Sequence, residues 1–161
     1  MGSIGTISTS FLNSFTVQDA IGQIDLRSSP NSLLTVHFWA ASSNKNNPIY
    51  VGDSVIWVAN NSNNIPTIDQ ITDNTAVQAG IVAYNSKVNT YNPGDILSIA
   101  MDGEIIKLKA DSAINLGAPV EFVVADKAVQ TQSAGKRIGY AMDYASAQGQ
   151  IIRVRLDFQK S

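Results

Sequence analysis

Cysteine is absent from all 161 residues, which rules out disulfide staples, thiolate nucleophiles and cysteine-ligated zinc. Histidine occurs once, at His37, so a histidine-built metal site is not expected either. Charge is scarce and slightly acidic: 15% of residues are charged and the net is −2. That is the wrong sign and too thin for binding nucleic acid, which needs clustered Lys and Arg. No stretch approaches the ~20 apolar residues of a membrane helix. The strongest, Ser32 to Ala41, is short and contains His37. The start, Met1-Gly2-Ser3-Ile4-Gly5-Thr6, has no basic region and no apolar core, so no secretory signal is expected. The expectation is a soluble protein made in the cytoplasm of its cell.

A chain of this length can hold one domain or two small ones without a metal or a disulfide, since ~150 residues bury about 70% of their unfolded surface. Its polar surface comes mainly from Asn, Ser, Thr and Gln. Such a surface suits packing against copies of the chain or a large partner, and equally suits an ordinary weakly charged exterior.

Residues 1–30 are rich in Ser, Thr, Gly and Asn. Their apolar residues are thinly spaced: Ile4, Ile7, Phe11, Leu12, Phe15 and Val17. This reads as an extended N-terminal arm, either a loose terminus or a segment that docks on a partner. Periodicity does not decide between helix and strand from Val17 to Leu26. A β-rich domain follows over 31–161. Leu33 to Ala40 is dense in β-branched and aromatic residues and predicts a buried strand. Asn-rich loops at Ser42–Pro48 and Asn60–Pro66 bracket a second strand region, Ile49 to Ala59. Gly80 to Tyr84 and Pro119 to Ala125 predict further strands, and Asn92-Pro93-Gly94-Asp95 a turn. Asp102-Gly103 between two apolar runs predicts a hairpin. In the run after it, Ile106, Leu108 and Ala110 share one face. At the C-terminus Ile152, Val154, Leu156 and Phe158 alternate with Ile151, Arg153, Arg155 and Asp157, a half-buried strand.

Residues 51–100 and 116–156 can be laid over each other as a candidate internal repeat. Val51-Gly52-Asp53-Ser54-Val55 matches Leu116-Gly117-Ala118-Pro119-Val120, Gly80-Ile81-Val82-Ala83 matches Gly139-Tyr140-Ala141-Met142, and Gly94-Asp95-Ile96-Leu97-Ser98-Ile99 matches Gly149-Gln150-Ile151-Ile152-Arg153-Val154. The glycines mark tight turns or close backbone approach. Two such copies are expected to pair into one barrel-like domain; chance similarity among Gly-punctuated strands is the other reading.

No catalytic constellation stands out. His37 sits in a strand without a companion Ser or Asp motif. The aspartates lie beside Gly, Asn or Ser, where Asp favours turns and caps. No EF-hand spacing and no Gly-Lys-Ser/Thr loop occurs. Catalytic residues, cofactor and metal are all expected to be absent. Trp39, Trp57, Tyr50, Tyr84, Tyr91, Tyr140 and Tyr144 could form a sugar-stacking platform, but core and interface roles are the expectation. Arg153 and Arg155 are expected at a solvated edge or in a salt bridge between subunits.

The second half, from about Gly80 to Phe158, resembles the capsid decoration (cement) proteins of tailed bacteriophages. The resemblance rests on Tyr91-Asn92-Pro93-Gly94-Asp95-Ile96, Gly103-Glu104-Ile105, Leu116-Gly117-Ala118-Pro119-Val120, Ile138-Gly139-Tyr140-Ala141 and Ala145-Ser146-Ala147-Gln148-Gly149-Gln150-Ile151-Ile152-Arg153-Val154. It implies a mainly β fold with a compact barrel or β-tulip core and an extended N-terminal arm. It implies a non-enzymatic protein on the outer surface of a virion, bound to the major capsid protein and to copies of itself, a trimer favoured. An arm bearing Ile4, Ile7, Phe11, Leu12, Phe15 and Val17 would suit contact with that shell. The alternative is a carbohydrate- or host-surface-binding β-module of a tail fibre or a lectin-like protein.

Overall fold

The computed structural model describes residues 21–24, 33–39, 47–58, 65–85 and 87–161. Among them all regular structure is strand. The twelve strands are β1 (Leu33–Phe38), β2 (Ile49–Tyr50), β3 (Ser54–Trp57), β4 (Thr67–Gln70), β5 (Gln78–Val82), β6 (Thr90–Tyr91), β7 (Ile96–Ala100), β8 (Ile105–Lys109), β9 (Pro119–Val123), β10 (Ala128–Thr131), β11 (Arg137–Ala141) and β12 (Ile151–Leu156). No helix among the described residues is long and apolar enough to cross a membrane.

The first half closes into a five-stranded barrel in the order β1-β4-β3-β5-β7, with β2 and β6 paired beside it. Alternation explains why: Val36, Phe38, Val55, Ile68, Ala79, Val82, Leu97 and Ile99 point inward as one apolar core. β1 was expected to be buried throughout. Instead it is half-buried, because Leu33, Thr35 and His37 fall on the outer face of the closed barrel.

The second half forms a five-stranded sheet, β10-β9-β11-β12-β8. Ile106, Leu108 and Ala110 lie on its buried face, as do Ile152, Val154, Leu156 and Phe158, as their period of two predicts. Ile71, Ile81 and Ala100, from the outside of the barrel, complete this second core. β5 is therefore buried along its whole length, facing the barrel interior on one side and the second sheet on the other. Asp102-Gly103 does make a turn, with the Glu104 N–H donating to Met101 O at 3.2 Å. It is no hairpin, however: β7 pairs with β1 and β5, and β8 pairs with β12. The turn carries the chain from one sheet to the other.

The two sheets have one strand order when matched as β4-β3-β5-β7-β1 and β10-β9-β11-β12-β8. Registers agree as well. Val55 faces Gly80 as Val120 faces Gly139, Trp57 faces Ile68 as Phe122 faces Val129, and Val36 faces Leu97 as Leu108 faces Ile152. Both β3–β5 and β9–β11 carry a register shift beside the valine or glycine of that pair. The Gly94 N–H donates to Phe38 O, and the Gly149 N–H to Ala110 O, each at 2.8 Å. The parallel β1–β4 pairing that closes the barrel is matched by one parallel bridge, Ala110 to Val129. Strands from the two halves do not pair into a joint barrel; the barrel is complete within 33–100.

Three devices tie the halves together. Ile24 bridges Ile106, the Gly22 N–H donates to Lys107 O at 2.6 Å, and the Tyr84 N–H donates to Gly22 O at 2.9 Å. Gly22 and Gly52 lie so close to Val51 and Ile21 that neither position has room for a Cβ. Lys127, in the turn between β9 and β10, pairs with Asp53 in the turn before β3. Lastly, the Lys136 N–H donates to Asn74 O at 2.8 Å, joining the loop after β10 to the loop after β4.

Candidate functional site

The arm residues Ile4, Ile7, Phe11, Leu12, Phe15 and Val17 lie outside the described residues. So do most of the two Asn-rich loops. The described surface is therefore where a site can be built. His37 is on the outer face of β1, opposite Thr67 on one side and Ile96 on the other, with its ring centroid 6.5 Å from that of Trp39. Among the described residues no three His, Asp or Glu side chains converge on a point that could hold a metal.

Two of the buried acids, Asp53 and Glu121, are held by hydrogen bonds that tie neighbouring segments together. Asp53 accepts the Tyr50 N–H at 2.9 Å and the Lys127 ammonium at 2.8 Å, and that ammonium sits 4.2 Å above the Tyr50 ring. Glu121 on β9 is almost wholly buried, yet its carboxylate gathers four donors. Ser133 N–H (2.9 Å) and Gly135 N–H (2.6 Å) reach one oxygen, and Gln130 Nε2 (2.7 Å) and Ser133 Oγ (3.2 Å) the other. Burial pushes the Glu121 carboxyl upward, but these hydrogen bonds outweigh it and hold the group below the ordinary glutamate range. On the surface, the Thr75 N–H and hydroxyl likewise lower Asp73.

The outer faces of the two matched units differ sharply. On the second unit, β8 and β12 present Lys107, Lys109 and Arg153, and Arg153 forks onto Asp143 with Nη2 to Oδ1 at 2.7 Å and Nε to Oδ2 at 3.0 Å. Arg153 thus has an ion-pair partner within the chain. On the first unit the corresponding positions are Thr35, His37 and Ser98, with Tyr84 in the place of Asp143. A groove of about 440 Å³ runs along this face, lined by Ile24, Leu33, Thr35, Tyr84, Ile96 and Ser98 among others. Leu33 and Tyr84 are 44% exposed and Ile96 56%, so among the described residues this lining is uncharged and partly apolar.

Of the aromatics expected in core and interface roles, only Tyr91 is buried in the core. Trp39, Trp57, Tyr50, Tyr84 and Tyr144 are exposed, and Tyr140 is half-buried beneath the Arg137 guanidinium. They are spread over both units. The sequence missed the groove because its lining alternates with core residues along β1 and β7. Only the closed barrel reveals which alternate set faces out.

A sequence profile of the phage cement protein family matches residues 71–156, which run from the end of β4 through β12. Among solved structures the chain is similar to the head fiber gp8.5 N base of bacteriophage phi29, with a TM-score of 0.50 and 16% identity, over 80% of this chain and 95% of that one. At that identity the likeness is one of fold. No curated protein matches the chain by sequence.

Proposed function

The chain belongs to the phage cement protein family, and from that premise we propose that it binds the outside of a phage head and stabilises the lattice of the major capsid protein, without catalysis. The observation that carries this reading is the family match itself, which spans the whole second unit and the β5 and β7 strands that anchor the first. The proposed partners are the major capsid protein and further copies of this chain, a trimer favoured. The proposed place is the outer surface of the virion, after synthesis in the host cytoplasm.

The proposed shell contacts are the arm residues Ile4, Ile7, Phe11, Leu12, Phe15 and Val17 of segment 1–30. An extended apolar segment can lie across neighbouring subunits, and repetition over a symmetric shell turns weak contacts into firm attachment. We infer, too, that 31–161 holds an internal repeat. Its copies are best drawn as β1, β3, β4, β5 and β7 against β8 to β12, so each gains the first strand that the 51–100 and 116–156 boundaries leave out. Matching strand order and register support this.

Mixing the protein with expanded shells that lack it, then sedimenting them, tests the reading. Co-sedimentation that saturates supports it. Failure to bind any such shell, with saturable binding to a glycan instead, would favour the carbohydrate-binding module.

A further inference from the structure

We propose, resting on the shell reading above, that the end of the second unit around Leu116-Gly117 and Met142 is a seat for a loop of the major capsid protein. The first unit has a matched seat, and a short segment of this chain already fills it.

The two ends are built alike. The Gly52 N–H donates to Val82 O at 2.9 Å, and the Gly117 N–H to Ala141 O at 2.8 Å. One step on, the Asp53 N–H reaches Tyr50 O at 3.0 Å and the Ala118 N–H reaches Asn115 O at 3.1 Å. The Ala83 N–H meets Ser98 O as the Met142 N–H meets Arg153 O. Both glycines hold a left-handed backbone, φ +90° at Gly52 and +78° at Gly117. Val51, Gly52 and Ala83 therefore correspond to Leu116, Gly117 and Met142.

Among the described residues only the first end is covered. Ile21 and Gly22 lie over it, and the Tyr84 N–H donates to Gly22 O at 2.9 Å. A Cβ on Gly52 would strike the Ile21 side chain, and one on Gly22 would strike Val51 Cγ1. Gly52 and Ala83 are buried there, and Val51 is half-buried. At the second end a Cβ on Gly117 would meet nothing within 4 Å. Leu116 is 69% exposed, the most of any large apolar side chain described, and Met142 is exposed beside it. The Ile114–Ala145 bridge and the Gly117–Ala141 bond hold Leu116 alongside residues 142–144, where Tyr144 is exposed too. Apolar side chains grouped in water in this way mark an interaction site.

The filled seat defines what the open one fits. Its occupant is a short uncharged turn that lays an aliphatic side chain on the face of a glycine. A second glycine follows, with φ +78°, where the two backbones close. A second copy of this chain has its own Ile21-Gly22 committed to its first unit. The partner left by the shell reading is the capsid protein, through an exposed loop with an aliphatic residue followed by glycine.

The test uses full-length protein and expanded shells that lack it. Leu116→Glu and Tyr144→Ser change exposed side chains, so both are expected to keep the wild-type melting temperature. Each should bind shells roughly ten-fold more weakly than wild type, while Val77→Glu, at a 44% exposed position of the first unit, should bind within about two-fold. Because native cysteine is absent, Asn115→Cys can be labelled with a benzophenone and irradiated on the shell. The expected adduct joins position 115 to a loop of the major capsid protein, and the same label on Asp126→Cys, beyond the other end of β9, gives none. Wild-type binding by both Leu116→Glu and Tyr144→Ser would overturn the seat and leave the shell reading standing. Adducts between copies of this chain would overturn it too, by assigning the end to self-association. Wild-type protein that binds no shell would overturn the shell reading and the seat together.

Discussion

The ammonium of Lys127 lies 2.8 Å from Oδ2 of Asp53, and it pins the β9–β10 turn of one unit to the turn before β3 of the other. Asp53 is buried, while the Lys127 side chain is 39% exposed, so the pair is partly screened. Lys127 also holds a left-handed backbone angle, φ +50°, rare for a residue with a Cβ. Lys127→Ala removes the partner of a buried carboxylate and keeps the strained backbone. It is expected to cost about 1–2 kcal/mol in urea unfolding. Lys127→Gly loses the same pair but relaxes the backbone, and should be the more stable of the two by roughly 1 kcal/mol. Equal stabilities would mean that the turn stores no strain.

Gly80 and Gly139 occupy matched places, and each faces the backbone of the next strand. A Cβ on Gly80 would stand 2.6 Å from Ala100 O, and one on Gly139 would meet Arg155 O. Gly80→Ala and Gly139→Ala are each expected to destabilise by about 1–3 kcal/mol, since backbone must shift to make room. Gly94→Ala and Gly149→Ala meet no neighbour, and their cost is the positive φ alone, about 1 kcal/mol. Unfolding of the four variants should therefore sort by position in the unit rather than by which unit carries the change.

Glu121 gives the fold an acid-sensitive point. Its carboxyl titrates lower in the folded protein than in the unfolded chain, so the carboxylate contributes stability above the ordinary glutamate pKa of about 4.3. That contribution begins to fall as pH drops below this value and is gone below the folded pKa. Glu121→Gln should lower the melting temperature at neutral pH and flatten its dependence on pH in the acid range. A variant with an unchanged acid slope would show that other carboxylates carry it.

Attachment is expected to depend on the arm. Removing residues 1–17 should leave the melting temperature near that of the full chain, because the strap at Ile21–Ile24 is kept. It should also weaken binding to shells. Unchanged binding would take the arm out of the account.

Much of this architecture was legible because sheets advertise themselves through alternation. Ile152, Val154, Leu156 and Phe158 could be placed on a buried face from their spacing alone. The strands that escaped notice are short and polar. Thr67-Ile68-Asp69-Gln70 offers one large aliphatic residue, yet it is the strand that closes the barrel, buried by its neighbours rather than by its own composition. Ala128 to Thr131 is similar. At Asp102-Gly103 the local turn was real, but pairing was decided by distant partners, β1 for β7 and β12 for β8. The groove was invisible for the same reason: which residues of β1 face outward is fixed only when β4 closes the ring.

The most direct test of the account is saturable co-sedimentation with expanded phage shells that lack this protein. The account predicts binding to the shell at a fixed ratio to the major capsid protein, together with a raised melting temperature of the decorated shell. Shells that neither retain the protein nor gain stability in its presence would contradict it.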